Sequence, residues 1–370
     1  MNPTAPRIGL VRRGYSGTGG AERYLVRFAN ALASAGWSPV LFGSPEWPRA
    51  EWPHAFVEVA GGGPAAFADG LESCRPRQSC DFLFSLERVW RCDAYRAGDG
   101  VHQAWLERRT AFEPAWRGWV RRLRAKHREL LSLERAVFDP SSTRCVVANA
   151  RFVAAEITRF HGYPADRIRV VPNGLPEPVA GHSQPDRHEA RRLLGLPAQT
   201  MLALFLGSGW DRKGLPCAIR AAERLGPEVR LVVVGRGSAG RHRSKAVTFA
   251  GPVADPGPWF AACDLLVLPT WYDPFSNACL EAAAAGLPVL TTGANGFAEV
   301  MTPGVHGEVI ADPADDAAFA SALRAWSDPG RREAAGPLLR ALAAQFTIAE
   351  NVRRTLEAIG LTGGPPGPAH

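Results

Sequence analysis

Short apolar runs and helix-like stretches alternate along almost the whole of this 370-residue chain, and that alternation narrows the folds open to it. RIGLVRR (7–13), SPVLFG (38–43), DFLFSL (81–86) and RCVVANA (144–150) read as buried strands. So do MLALFLGSG (201–209), RLVVVGRG (230–237), DLLVLPT (264–270) and LPVLTT (287–292). Each is rich in apolar or β-branched residues and stops at Gly, Pro or a polar turn, as parallel strands covered on both faces do. Helical periodicity fills the gaps, for example in GLPCAIRAAERL (214–225) and SNACLEAAAAG (276–286). The prediction is an α/β chain built from doubly wound, Rossmann-like sheets.

The pattern starts twice, with Gly-rich turns after the first strand at 14–20 and after the strand near 201–206. Between the halves, VVPNGLPEPVAGHSQPDRHEA (170–190) has the Pro and Gly content of a linker. The expected division is a first domain over 1–172, a second over 173–345, a helix over 346–360 crossing back to the first domain, and a disordered tail at 361–370. Facing one another, the domains would present both turns at the carboxyl ends of their strands, where ligands of open α/β sheets bind. An apolar fraction of 46% is ample for two cores. Seven scattered cysteines with no C-x-x-C pair argue against a disulfide framework or a zinc site and for a reducing compartment. Neither a signal peptide nor a membrane span is expected, so a cytoplasmic protein is predicted. The net charge of +7 favours anionic partners.

Three segments carry candidate chemistry. The first is RRGYSGTGGAERYLVRFANAL (12–32). It lacks the Lys-Ser/Thr of a Walker loop, and the dinucleotide fingerprint would need glycine where Glu22 stands. It is either another kind of phosphate loop or a tight turn. The second is GSGWDRKGL (207–215), where Arg212 and Lys213 stand at a strand-to-helix turn. Free N–H groups, the helix dipole and two cations together suit a phosphate or diphosphate; a solvated basic turn is the plainer alternative. The third, WYDPFSNACLEAAAAGLPVL (271–290), holds Asp273 before a helix and Glu281 two turns inside it. Glu281 is placed to accept from a ribose diol, with the N–H groups of Phe275 and Ser276 free at the helix start. Alternatively, Asp273 caps the helix and Glu281 is surface.

In this order, GTGGAE, GSGWDRKG and DPFSNACLEAAAAGLPV resemble the retaining nucleotide-sugar glycosyltransferases of family 4, which have the GT-B fold, across roughly 300 residues. YRAGDGVH (95–102) and the basic stretch after it are similar to the lipopolysaccharide core glucosyltransferases of that family. The resemblance implies that Gly19 and Gly20 approach the donor diphosphate, with Gly209 in the second turn. Arg212 and Lys213 would neutralise the leaving group. Asp273, Phe275, Ser276 and Asn277 would contact the donor sugar, Glu281 the ribose, and the backbone around Val253 the nucleobase. The family motif has Glu where this chain has Asp273, one methylene shorter. No D-x-D triplet occurs, so metal-independent transfer is expected, with no cofactor beyond the substrate. The implied donor is a UDP-sugar, UDP-glucose by choice, and the implied acceptor a membrane-borne glycan such as lipopolysaccharide inner-core heptose. Asp99, ahead of His102, is the candidate for acceptor-side assistance; a turn residue and a helix-start residue are the ordinary readings.

The stretch WLERRTAFEPAWRGWVRRLRAKHRELL (105–131) holds three tryptophans, seven arginines and a lysine against three glutamates. One helix over about 103–131 is expected, with Trp116 and Trp119 on one face and Arg117, Arg121 and Arg124 around it. That profile suits a peripheral contact with the anionic inner face of the cytoplasmic membrane. Packing of the tryptophans onto the first domain is the alternative, and nucleic acid ranks low because no recognition module accompanies the charge. The rival functions are a sugar-nucleotide epimerase of the same fold and a non-catalytic nucleotide-sugar-binding module.

Overall fold

A computed structural model describes residues 5–16, 20–113, 125–176 and 186–361. The chain divides into two compact units, Met1–Pro176 with Ile348–His370, and Glu177–Thr347.

The first unit is built on a seven-stranded parallel sheet of order β3-β2-β1-β4-β5-β6-β7. Its strands are β1 (Arg7–Arg12), β2 (Ser38–Gly43), β3 (Ala55–Glu58), β4 (Phe82–Ser85), β5 (Cys92–Ala97), β6 (Thr143–Ala148) and β7 (Ile168–Val170). Helices α1 (Gly20–Ser34), α2 (Pro64–Ser73), α3 (His102–Arg109), α4 (Ala125–Val137) and α5 (Arg151–His161) lie between them. Strand β1 buries Ile8, Leu10 and Val11. A side chain at Gly9 would meet Cys80 Sγ, Leu83 and Phe42 at 2.7–2.9 Å, so glycine is what lets both faces close over this strand. Helix α1 buries Tyr24, Leu25, Phe28, Ala29 and Leu32, a helical stripe laid onto the sheet.

The second unit carries a six-stranded parallel sheet of order β10-β9-β8-β11-β12-β13. Its strands are β8 (Met201–Leu206), β9 (Val229–Val234), β10 (Val247–Gly251), β11 (Leu265–Leu268), β12 (Val289–Thr292) and β13 (Gly307–Ile310). Helices α6 (Arg187–Leu193), α7 (Leu215–Leu225), α8 (Gly257–Ala262), α9 (Asn277–Ala284), α10 (Asp316–Ala325) and α11 (Pro329–Ala343) accompany them. At the amino edge of this sheet, buried Asp264 meets Arg191 at 2.6 Å, Arg187 at 3.0 Å and Arg332 at 3.6 Å, and its Oδ2 accepts from Leu202 N–H at 2.7 Å. One carboxylate thus ties α6, α11 and the start of two strands.

The last helix, α12 (Ile348–Ala358), belongs to the first unit. Val352, Leu356 and Ile359 join the cluster of Ile8, Leu10, Phe28, Leu41 and Phe84, and Tyr24 Oη donates to Asn351 Oδ1 at 2.7 Å.

The single helix expected over 103–131 is not what forms. Helix α3 ends at Arg109, residues 110–113 turn, and α4 starts at Ala125. Pro114 follows directly, and proline disfavours helical backbone in the residue before it. Gly19, Trp116, Arg117, Trp119, Arg121, Arg124 and most of the tail lie outside the described residues.

Candidate active site

In the second sheet the order reverses between β8 and β11, so the loops leaving these two strands diverge from a common crevice. The β8 turn can lie against the β11 exit only because glycine allows it. Gly214 has φ +77°, and a Cβ there would fall 1.8 Å from the carbonyl oxygen of Pro269. Gly207, at φ +135°, leaves room for Lys213, whose Cε would sit 2.8 Å from a Cβ. Gly209 is likewise left-handed at +73°, and its carbonyl accepts from Lys213 N–H at 3.1 Å.

The two turns are then laced together. The carbonyl of Arg212 accepts from Trp271 N–H at 2.9 Å and from Thr270 Oγ1 at 3.2 Å. Arg212 Nη1 donates to the carbonyl of Tyr272 at 2.6 Å, and Lys213 Nζ reaches Asp273 Oδ2 at 3.0 Å. Burial alone would raise the Asp273 pKa, but Lys213, Arg212 and the Phe275 N–H outweigh it and hold the carboxyl below its ordinary range. Arg212, Lys213 and Asp273 therefore form one charged unit.

One alternative and one expectation are corrected here. Ser276, not Asp273, caps α9: its Oγ accepts from Cys279 N–H at 3.4 Å. Nor are the N–H groups of Phe275 and Ser276 free, because Asp273 takes the first and Asn295 Oδ1 the second, at 3.2 Å. Asn295, fully buried, was missed from the sequence. It also accepts from Phe297 N–H at 3.1 Å and donates to Thr291 Oγ1 at 3.0 Å, and so sets the height of the α9 start. Its one sequence signal is an Asn-Gly pair after a strand, which reads as an ordinary turn. Phe275 is buried against Phe297 and Phe346. Asn277 opens α9, and Glu281, half-buried, stands about one turn inside it rather than two. Val253 lies just past β10, on the same carboxyl edge.

In the first unit the order reverses between β1 and β4. At the carboxyl ends there, Arg12 is ringed by Asp99 at 3.4 Å, Glu22 at 3.4 Å and Glu87 at 4.0 Å. Burial works against the Arg12 charge, but Asp99, Glu87 and Glu22 together raise its pKa. Asp99 occupies the turn after β5 with half its side chain exposed. Gly20 begins α1 close by in sequence to Glu22 and is exposed. His102 is not grouped with Asp99. Its ring stacks on His127 with Nε2 3.0 Å from Nδ1, and burial plus the nearby Arg88 push its pKa down to about 4. Its N–H, with that of Gln103, is capped by buried Glu134, which also takes Arg88 Nε at 3.0 Å.

Comparison with known proteins places both units. Residues 18–177 match the family described as Glycosyltransferase Family 4, and residues 201–328 match Glycosyl transferases group 1. Among curated relatives, the D-inositol 3-phosphate glycosyltransferase of Xylanimonas cellulosilytica is 28% identical over 91% of this chain and 90% of its own. The lipopolysaccharide glucosyltransferase WaaG of Escherichia coli is 26% identical over 85% of this chain and 91% of its own. Among solved structures, a WaaG crystal structure superposes with a TM-score of 0.80 at 22% identity, covering 96% of this chain and all of the other. The Anabaena protein HepE, in complex with UDP and glucose, gives 0.73 at 17% identity over 95% of this chain and 99% of its own. At these identities the structures speak for the fold.

Proposed function

The chain belongs to glycosyltransferase family 4 and has the GT-B fold, and on that premise we propose that it transfers a hexose, glucose from UDP-glucose, to a membrane-borne glycan with retention of configuration. The observation that carries this reading is the meeting of Arg212, Lys213 and Asp273 at the β8/β11 switch, with Glu281 on the helix that follows. Two cations at a Gly-rich turn suit a diphosphate whose negative charge grows as the bond to the sugar breaks. Asp273 holds Lys213 in place for that moment. The acceptor hydroxyl attacks the anomeric carbon on the face the diphosphate leaves, the C1–O bond to phosphate breaks, and a phosphate oxygen takes the hydroxyl proton. No metal is required in this scheme: Arg212 and Lys213 do the neutralising. On the acceptor side, Asp99 held by Arg12 orients the incoming hydroxyl. The tryptophans and arginines of residues 105–131 bring the enzyme to anionic lipid at the cytoplasmic face, where such an acceptor is anchored.

The relative named for D-inositol 3-phosphate supports a second acceptor, a soluble phosphorylated polyol. One experiment separates the readings. Purified protein is melted with UDP, GDP, ADP and their hexose conjugates, with and without EDTA, since a ligand of the native state raises Tm. The stabilising donor is then offered to lipopolysaccharide core and to D-inositol 3-phosphate. A UDP-glucose shift that survives EDTA, followed by transfer to core, is expected. Transfer to inositol phosphate alone would replace the acceptor, and binding with no transfer would favour a non-catalytic module. Asp99→Ala should slow turnover about 10²-fold with UDP affinity unchanged; wild-type turnover would remove Asp99 from the scheme.

A further inference from the structure

One of the two cations at the proposed donor turn already has a carboxylate partner. Lys213 is paired to Asp273 at 3.0 Å. A nucleotide diphosphate brings roughly two further negative charges, and like charge at close range in a partly buried site is costly. Further positive potential beside the turn would hold such a ligand more firmly.

The next loop supplies it. Residues 229–254 contain no carboxylate and five cations, Arg230, Arg236, Arg241, Arg243 and Lys245. The last four are exposed and fall within ten residues of the loop that leaves β9. Glu223 accepts from Ser244 Oγ of this loop at 2.7 Å. Two close approaches fix its base to the donor turn. A Cβ on Gly235 would lie 2.3 Å from the carbonyl oxygen of Gly207, and one on Gly237 would strike the Trp210 ring at 2.3 Å. Gly207 and Trp210 belong to the turn that presents Arg212 and Lys213, so the cations ride on its backbone.

We infer that the 236–245 loop is an electrostatic capture element for the diphosphate of the donor, adding its cations to Arg212 and Lys213 of the turn. This rests on the donor-site reading above. A cluster of this kind concentrates an anionic ligand and raises its association rate by 10- to 10³-fold, an effect that salt removes.

The test compares wild type with Arg241→Ser/Arg243→Ser/Lys245→Ser, all exposed positions, with folding checked by circular dichroism. Affinities for UDP and for uridine are measured at low and at high salt. Wild type should bind UDP at least about tenfold more weakly at high salt. The triple variant should bind UDP about tenfold more weakly than wild type at low salt and within about twofold of it at high salt. Uridine, without phosphate, should respond to neither change. Equal UDP binding by variant and wild type at low salt overturns the inference. So does a variant that keeps UDP but no longer sediments with phosphatidylglycerol vesicles, because the loop would then serve a lipid surface. Failure of wild type to bind UDP overturns the donor-site reading as well, whereas salt-independent UDP binding overturns this inference alone.

Discussion

Lys213 and Asp273 set one another's chemistry, and pH exposes the dependence. In the folded unit the Asp273 pKa lies below its ordinary value despite burial, held there by Lys213 and Arg212. Its contribution to stability is therefore complete above the unfolded pKa of about 3.9 and is lost as pH falls through the lower folded value. Lys213→Met removes the larger of the two opposing charges and lets burial raise the carboxyl. The variant should lose about 3–5 kcal/mol near neutrality, and the deficit should shrink on acidification as Asp273 protonates. Tm measured from pH 4 to pH 8 checks this; a deficit independent of pH would mean that the ion pair contributes little. Asp264 makes a purely structural counterpart. Asp264→Ala would leave Arg187, Arg191 and Arg332 without their shared carboxylate and should cost a similar amount, read from denaturant midpoints. Its effect should be the same with or without bound UDP if Asp264 plays no part in the site.

Turns rather than helices decide where these residues meet. Gly214 and Gly226 flank the same helix and both have positive φ, +77° and +60°, yet only Gly214 is crowded by a neighbouring backbone. Gly226→Ala, at ψ −134° outside the left-handed helical well, should cost about 1–3 kcal/mol of backbone strain and leave UDP affinity alone. Gly214→Ala should also push the 207–214 turn off Pro269 and weaken UDP more than tenfold. Equal UDP affinities in the two variants would show that the close approach is irrelevant to binding. The same contrast explains what the sequence made legible. Apolar, continuous strands such as MLALFL and RLVVV announced themselves, and the Gly-rich turns marked the strand ends. Five strands were not read. β3, β7, β10 and β13 are short or stand toward the sheet edges, where fewer faces demand apolar residues. β5 is interior but reads CDAYRA, and Arg96 in it looks like a surface residue. It is buried because Asn173 Oδ1 at 2.7 Å and the carbonyl of Val171 accept from it while Tyr24 lies under its guanidinium. No local pattern encodes partners eighty residues away. Asn295 escaped notice for the same reason: its partners Ser276 and Thr291 belong to other elements.

At the scale of the whole chain, the first unit is discontinuous, and its last segment arrives only after the second unit has been made. Helix α12 is no appendage. Val352, Leu356 and Ile359 are 2–8% exposed within the core that contains β1, and Asn351 is the acceptor for buried Tyr24 and donates to the carbonyl of Pro172. Three large apolar side chains bury about 5–9 kcal/mol of transfer free energy at 1.5–3 kcal/mol each. That is comparable with the whole stability of an ordinary domain, about 5–15 kcal/mol. A chain ending at Thr347 should therefore lose the calorimetric transition of the first unit. The second unit, whose core uses none of these residues, should still melt cooperatively. Supplying residues 348–361 as a peptide should restore part of the lost transition in proportion to its concentration, because the peptide binds only the folded first unit. Two undiminished transitions in the truncated chain would show that α12 merely covers a core already complete, and the crossover would then matter for something other than folding.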